Sequence, residues 1–217
     1  MAQEVQSELV RERILNEAEA LFAQKGYRGV TVREIIEAAD CNLSAVNYYF
    51  GNKKNLYLEL FRTRWIPRSK YMHKCFIEFL SDQGSLTLVT LVKAIARSFL
   101  EAPLSTDELQ RHYQLMAREM SQPSEAFDLA FEQAMQPHFQ ELAHRFRSVI
   151  PEEMEEERLI LRIQSIIGMV IHFHFARPAI TRFTGHEYDS SFKKRLVDHI
   201  IDFSLNGLGL HAEAKPW

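Results

Sequence analysis

The chain has 217 residues, 46% of them apolar, and a formal charge of −3, enough for one large domain or two small ones with a buried core. No apolar run approaches the ~18 residues of a membrane-crossing helix, and the charged start MAQEVQSELVRER lacks the apolar stretch of an export signal. Cys41 and Cys75 form neither a CxxC nor a metal-ligand spacing, which predicts reduced thiols in a cytoplasmic protein with no membrane partner.

Gly and Pro are sparse and period-two alternation is nearly absent, so the fold class is all-α, with about nine helices. A first helix spans about 7–25: Ile14, Leu15, Ala18, Leu21 and Phe22 recur at helical spacing, and Gly26 stops it. Thr31-Val32-Arg33-Glu34 opens a second helix as a capping box, in which hydroxyl and carboxylate each satisfy an end amide; it runs to about Ala39. Asn42 caps a third over about 43–49, ended by Gly51. A fourth starts near Lys53 and extends toward residue 80, with Pro67 expected to kink it or mark a joint.

Further helices are expected at about 85–101, 105–121, 124–149, 151–176 and 190–206. Ser105 and Glu108 form another capping box, Pro137 should kink the 124–149 segment, and Pro151 with Glu152 and Glu153 suits a helical first turn. Residues 177–189, RPAITRFTGHEYD, carry Pro178 and Gly185 and read as a loop.

The second and third helices are short and joined by Asp40-Cys41-Asn42, the spacing of a helix-turn-helix. The third cannot bury Asn47, Tyr48, Tyr49 and Phe50 together. Val46 and Phe50, four apart, share the inner face with Tyr49, which turns Ser44, Ala45, Asn47 and Tyr48 outward. In a helix-turn-helix that face enters the DNA major groove. Asn47 can pair bidentately with an adenine edge and Ala45 can meet a thymine methyl, while Ser44 and Tyr48 can bond bases or phosphates. Lys53 adds a cation and free amides, and Arg28 and Thr31 grip the backbone from the other side. The expected DNA-contact set is Arg28, Thr31, Asn42, Ser44, Ala45, Asn47, Tyr48 and Lys53. Residues 24–74 hold ten Lys or Arg against four acids, which leaves −9 for the remainder; such asymmetry suits a polyanion partner for one part only.

Through Ile14, Ala18, Phe22, Gly26, Tyr27, Thr31, Val32, Ile35, Ala39, Tyr49, Phe50, Lys53 and Leu56, residues 11–60 resemble the DNA-binding domain of the TetR family of bacterial transcriptional regulators. The family's usual Ala-Gly-Val turn is here Ala39-Asp40-Cys41, without its glycine, and Asn47 replaces a frequent tyrosine. HYQLMAREMSQP at 112–123, Pro137-His138-Phe139 and FHFARP at 173–178 resemble the CecR-type subgroup over roughly 85–208. The resemblance implies a DNA-binding head, residues 1–56, and a ligand-binding and dimerisation domain, residues 57–217. It also implies a homodimer on a palindromic double-stranded operator, more often a repressor, answering to an unidentified small-molecule effector.

Met, Phe and His are frequent over 110–180, where they fit either plain core or an adaptable apolar pocket. The candidate ligand set is His112, Met116, Arg118, Met120, Phe139, Met169 and Phe173. Arg118 and Glu119, being sequence neighbours, point to different sides of a helix and fit a structural role as well. Apolar stripes at Leu159, Ile163, Ile166, Ile167 and Val170, and at Leu196, Val197, Ile200, Ile201, Phe203 and Leu208, need partners on more than one side. In the family these helices pair with the twin subunit, which makes Leu159, Ile163, Ile167, Val170, Leu196, Ile200 and Phe203 the expected dimer contacts. His172 and His174 diverge by about 200° on a helix, so no metal site and no cofactor is expected. The acidic run at 152–157 reads as a solvated helix start. Two other readings stay open: a protein-interaction module whose helix-turn-helix is only structural, and a helical enzyme using the His-rich pocket. The latter lacks a nucleophile–base pair or paired carboxylates.

Overall fold

The computed structural model describes residues 2–150 and 154–207, and among them there is no strand. In chain order the helices are α1 (Ala2–Lys25), α2 (Val32–Ala38), α3 (Leu43–Phe50), α4 (Lys53–Leu60), α5 (Ile66–Ser81), α6 (Leu88–Leu100), α7 (Thr106–Ser121), α8 (Glu125–Ala130), α9 (Gln136–Val149), α10 (Glu156–Phe175), α11 (Arg177–Thr184) and α12 (Ser190–Gly207). The all-α expectation holds. Local hydrogen bonding explains the starts. Thr31 and Glu34 close the capping box at α2, Ser105 and Glu108 close one at α7, and the Asn42 side chain accepts from the Ala45 amide. Pro151, Glu152, Glu153 and Leu208 lie outside the described residues.

One expectation needs correction. Residues 177–184 are helix, not loop: Pro178 sits in the first turn, where its missing N–H costs nothing, and Gly185 closes the end in the left-handed region at φ 69°. Pro67, expected to kink its helix or mark a joint, stands just past such a joint, and so does Pro137. Each follows a π turn, Phe61–Trp65 and Phe131–Met135, so that α4 runs into α5 and α8 into α9. The Ile66 amide bonds the Phe61 carbonyl and the Gln136 amide bonds that of Phe131, a wider loop that takes up the proline without ending the helix.

Packing groups the chain into two compact units divided at residues 70/71, 103/104 and 136/137. The first comprises α1–α4, the start of α5, α7, α8 and the second π turn; the second comprises the rest. By packing, residues 57–70 and 104–136 therefore go with the head. The first core is built on Ile14, Leu15, Phe22, Ile35, Val46, Leu56, Leu60, Phe61 and Leu115. Each such side chain stabilises by about 1.5–3 kcal/mol on burial. The second core gathers Leu91 and Ile95 of α6, Phe146 of α9, Leu159 and Ile163 of α10, and Leu196 and Ile200 of α12.

That second core redirects the expected subunit contacts. Leu159, Ile163, Val170, Leu196 and Ile200 are buried inside their own chain and Ile167 is half-buried, whereas Phe203 is 63% exposed. The buried residues of the stripes pack with α6, itself apolar on one face, in the second core. Outward on the same unit stand Leu161, 58% exposed, with Phe175 and Phe183. α10 is long and apolar enough, by length and composition alone, to cross a membrane, although charged and polar residues interrupt its apolar run in the sequence.

Candidate nucleic-acid interface

α2 and α3 form the helix-turn-helix, and the turn shows how it manages without glycine. Asp40 takes φ 44°, left-handed backbone that Asp tolerates better than most residues. Its carbonyl accepts from Arg13 Nη2 at 2.8 Å, which ties the turn to α1. Val46 and Phe50 are buried beneath α3, and Tyr49 is half-buried with its hydroxyl 2.9 Å from Ser7 Oγ. The opposite face is open: Ser44, Asn47 and Tyr48 are exposed, Tyr48 at 80%. Ala45 is half-buried against the core. Leu43, which sequence reasoning did not single out, is exposed on the same helix; its place directly after the N-cap was the available signal.

The flanking groups are more committed than the sequence implied. The Asn42 side chain is engaged as the N-cap of α3. The Thr31 hydroxyl donates to Glu34 Oε2 at 2.9 Å and accepts from the Glu34 amide at 3.2 Å. Lys25 and the Thr31 amide also bond Glu34, and together they hold its carboxyl down at about 2. Lys53 Nζ donates to the Val30 carbonyl at 2.6 Å and lies 4.4 Å from the Tyr27 ring centre. Burial lowers its pKa, against the raising influence of Glu34. Lys53 thus braces the 26–31 segment, while Arg28 and Thr31 stand exposed along it. Lys54 is exposed and pairs with Glu125 at 2.5 Å.

The seven candidate ligand residues do not gather within one unit. His112, Met116, Arg118 and Met120 belong to the first unit; Phe139, Met169 and Phe173 belong to the second. The His112 ring stacks on Trp65 at 4.7 Å and 5°, and Trp65 Nε1 donates to the His112 carbonyl at 3.0 Å. Met116 is buried core, Met120 is exposed, and the Arg118 guanidinium bonds the carbonyls of Ala23 and Gln24. Phe139, Met169 and Phe173 are half-buried around the second core. A depression of about 160 Å³ lined by Phe79, Gln83, Thr90, Lys93, Ala94 and Arg97 contains none of the seven. His172 is exposed and His174 half-buried, its pKa lowered by burial and by Arg177. Among the described residues no group of three His, Cys, Asp or Glu is placed to hold a metal ion.

Residues 14–60 match the family described as bacterial regulatory proteins, tetR family, and residues 89–208 match the C-terminal domain of the HTH-type transcriptional dual regulator CecR. The chain is 25% identical to the CecR dual regulator of Shigella flexneri over 220 aligned residues, covering 95% of this chain and 96% of that one. It is 44% identical over 52 residues to the transcriptional repressor AcnR of Corynebacterium glutamicum, 24% of this chain and 28% of that one. Two solved structures share the fold: the hemolysin II transcriptional regulator HlyIIR, with a TM-score of 0.59, 20% identity and coverage of 90% and 97%; and PfmR of Thermus thermophilus, with 0.58, 19%, 90% and 98%.

Proposed function

Because this chain belongs to the TetR family of transcriptional regulators, with a CecR-type C-terminal domain, we propose that it acts as a homodimer on a palindromic operator, as a repressor released or recruited by a small molecule. The observation that carries this reading is the open face of α3, where Leu43, Ser44, Asn47 and Tyr48 stand exposed over buried Val46 and Phe50. Asn47 and Ser44 read base edges, Leu43 meets a thymine methyl, and Tyr48 and Arg28 bond phosphates. Thr31 and Asn42 fix the helix starts that present them, and Lys53 holds the segment between α1 and α2. Twin subunits meet through the outward residues of α10 and α12, Leu161, Phe175 and Phe203, supported from beneath by the buried Leu159, Ile163, Val170, Leu196 and Ile200. A two-fold pair sets two α3 helices on successive major grooves.

The effector enters the second unit near Phe139, Met169 and Phe173. Lys53–Ser81 is helical throughout, so a ligand that favours one packing of the second unit biases the head through α4 and α5. It does so only to the extent of its differential affinity for the two arrangements. The regulators that match by sequence take support away from the helical-enzyme alternative.

The test is selection of bound duplexes from a random DNA pool by the purified protein, at a stated salt concentration near physiological. An enriched palindrome supports the reading, and its half-site spacing checks the two-fold geometry. A folded, dimeric protein that enriches nothing, with and without candidate effectors, moves the interaction-module reading forward. The relative matched along nearly its whole length is a dual regulator, so a reporter assay should score both directions.

A further inference from the structure

The stretch Gly26–Thr31 leaves α1, carries Arg28 to the surface and delivers the cap of α2. Its course is tightly held. The Gly26 amide bonds the Phe22 carbonyl at 2.8 Å, with Gly26 at φ +75°. At Gly29 an added Cβ would sit 2.5 Å from the Lys25 carbonyl oxygen, so the chain doubles back onto the end of α1. Tyr27 packs on Phe22 and Tyr57, Val30 is buried, and Lys53 holds the Val30 carbonyl. The carbonyls of Ala23 and Gln24 remain at the negative end of α1 and have no helical donor ahead of them.

α7 supplies that donor. Arg118 Nε donates to the Ala23 carbonyl at 2.9 Å and Nη2 donates to that of Gln24, across 95 and 94 residues of sequence. Its Nη1 lies 3.1 Å from where a Cβ on Gly26 would stand. The next residue fixes the end of α7 itself: Glu119 is buried and accepts from Tyr57 Oη at 2.7 Å, from Ser124 Oγ at 2.7 Å and from the Ser124 amide at 3.1 Å. Burial and the Glu119 carboxylate raise the Tyr57 pKa, so its hydroxyl stays a donor.

We infer that Arg118 is a positioning residue for DNA binding: from α7 it clamps the end of α1 and thereby sets where Arg28 meets the phosphate backbone. The inference rests on the DNA-binding reading. It assigns Arg118 to the head rather than to the effector.

The test compares operator binding by the full-length wild type, Arg118→Met, Arg118→Lys, Arg28→Ala and the double variant Arg28→Ala/Arg118→Met. Leu91→Ala, in the second core and outside the unit that holds α1 and α7, serves as a destabilised control. With Arg28 misplaced, Arg118→Met should bind about tenfold more weakly, with a salt slope shallower by about one. Arg28→Ala should then add little in the Arg118→Met background. Arg118→Lys, which keeps the charge and one bond, should recover part of the loss and also serves if the Met variant fails to fold. Leu91→Ala should bind normally below its melting temperature. Wild-type affinity in Arg118→Met, or independent multiplication of the Arg28 and Arg118 effects, overturns the inference alone. Failure of the wild type to bind any duplex overturns the regulator reading first and this inference with it.

Discussion

Gly26→Ala puts a magnitude on the junction between α1 and the DNA-facing segment. A side chain at φ +75° costs about 1–2 kcal/mol. The new Cβ also meets Arg118 Nη1 at 3.1 Å and Cδ at 3.4 Å. Relief requires the guanidinium to retreat by a few tenths of an ångström, which lengthens the 2.9 Å bond to Ala23. Because Arg118 is exposed, this adds only about 0.5–1 kcal/mol. The sum is about 2 kcal/mol, or about 4–8 °C in melting temperature for a chain of this size. Gly26→Asn separates the contributions, since Asn tolerates left-handed backbone while its Cβ still meets Arg118; it should cost less than half as much. In an Arg118→Met background Gly26→Ala should keep its backbone cost and lose the contact cost. Urea denaturation measures all four variants on one scale. If Gly26→Ala were as stable as the wild type, or Gly26→Asn as costly as Gly26→Ala, the assignment of the strain to φ would be wrong.

Asn47→Ala should relax base preference at one operator position by about 1–3 kcal/mol and leave urea stability unchanged, because the side chain is exposed; quantitative selection on single-base operator variants, with a urea melt alongside, reads both. Asp40→Gly should stabilise the head by up to about 1 kcal/mol by relieving φ 44°, with operator affinity retained. The Glu34 carboxyl is held at about 2, below its ordinary 4.5. Its contribution to stability is therefore full above pH 4.5 and lost as pH falls toward 2. Glu34→Gln should be less stable at neutral pH and converge on the wild type by about pH 2 in acid titrations followed by circular dichroism. Leu161→Glu and Phe203→Glu should give folded monomers by sedimentation, whereas Ile163→Glu, with its side chain inside the second core, should not fold.

What is legible in the sequence is local. Thr31 with Glu34, Ser105 with Glu108, and Asn42 with the Ala45 amide each close within three residues, so composition and spacing specify them. The inner face of α3 follows from the four-residue interval between Val46 and Phe50. The same local logic misleads at one proline. Pro178 reads as a breaker although a helical first turn accepts it, whereas Pro67 and Pro137 do mark joints, each preceded by a π turn that the sequence does not announce. Periodicity also finds the apolar stripes of α10 and α12 but carries no information about the partner, so the packing of their buried residues with α6 is not legible in it.

The functional site divides along the same line. The outward residues of α3 belong to one short helix, and their direction is a matter of phase. The segment that carries Arg28 is held at long range: Lys53 reaches back 23 residues to the Val30 carbonyl, and Arg118 reaches back 95 to that of Ala23. In the sequence Lys53 is a cation beside a helix start and Arg118 a cation among methionines, and both types suit a phosphate or a ligand equally well. Three carbonyls decide otherwise. Ala23, Gln24 and Val30 lie where α1 ends and α2 has not begun, so no helix supplies their donors. A long cationic side chain from α4 and another from α7 supply them instead. The segment that carries Arg28 is thus fixed at both ends by other helices, and on the proposed reading a change in α7 that moves Arg118 reaches the DNA-facing surface without passing through α3.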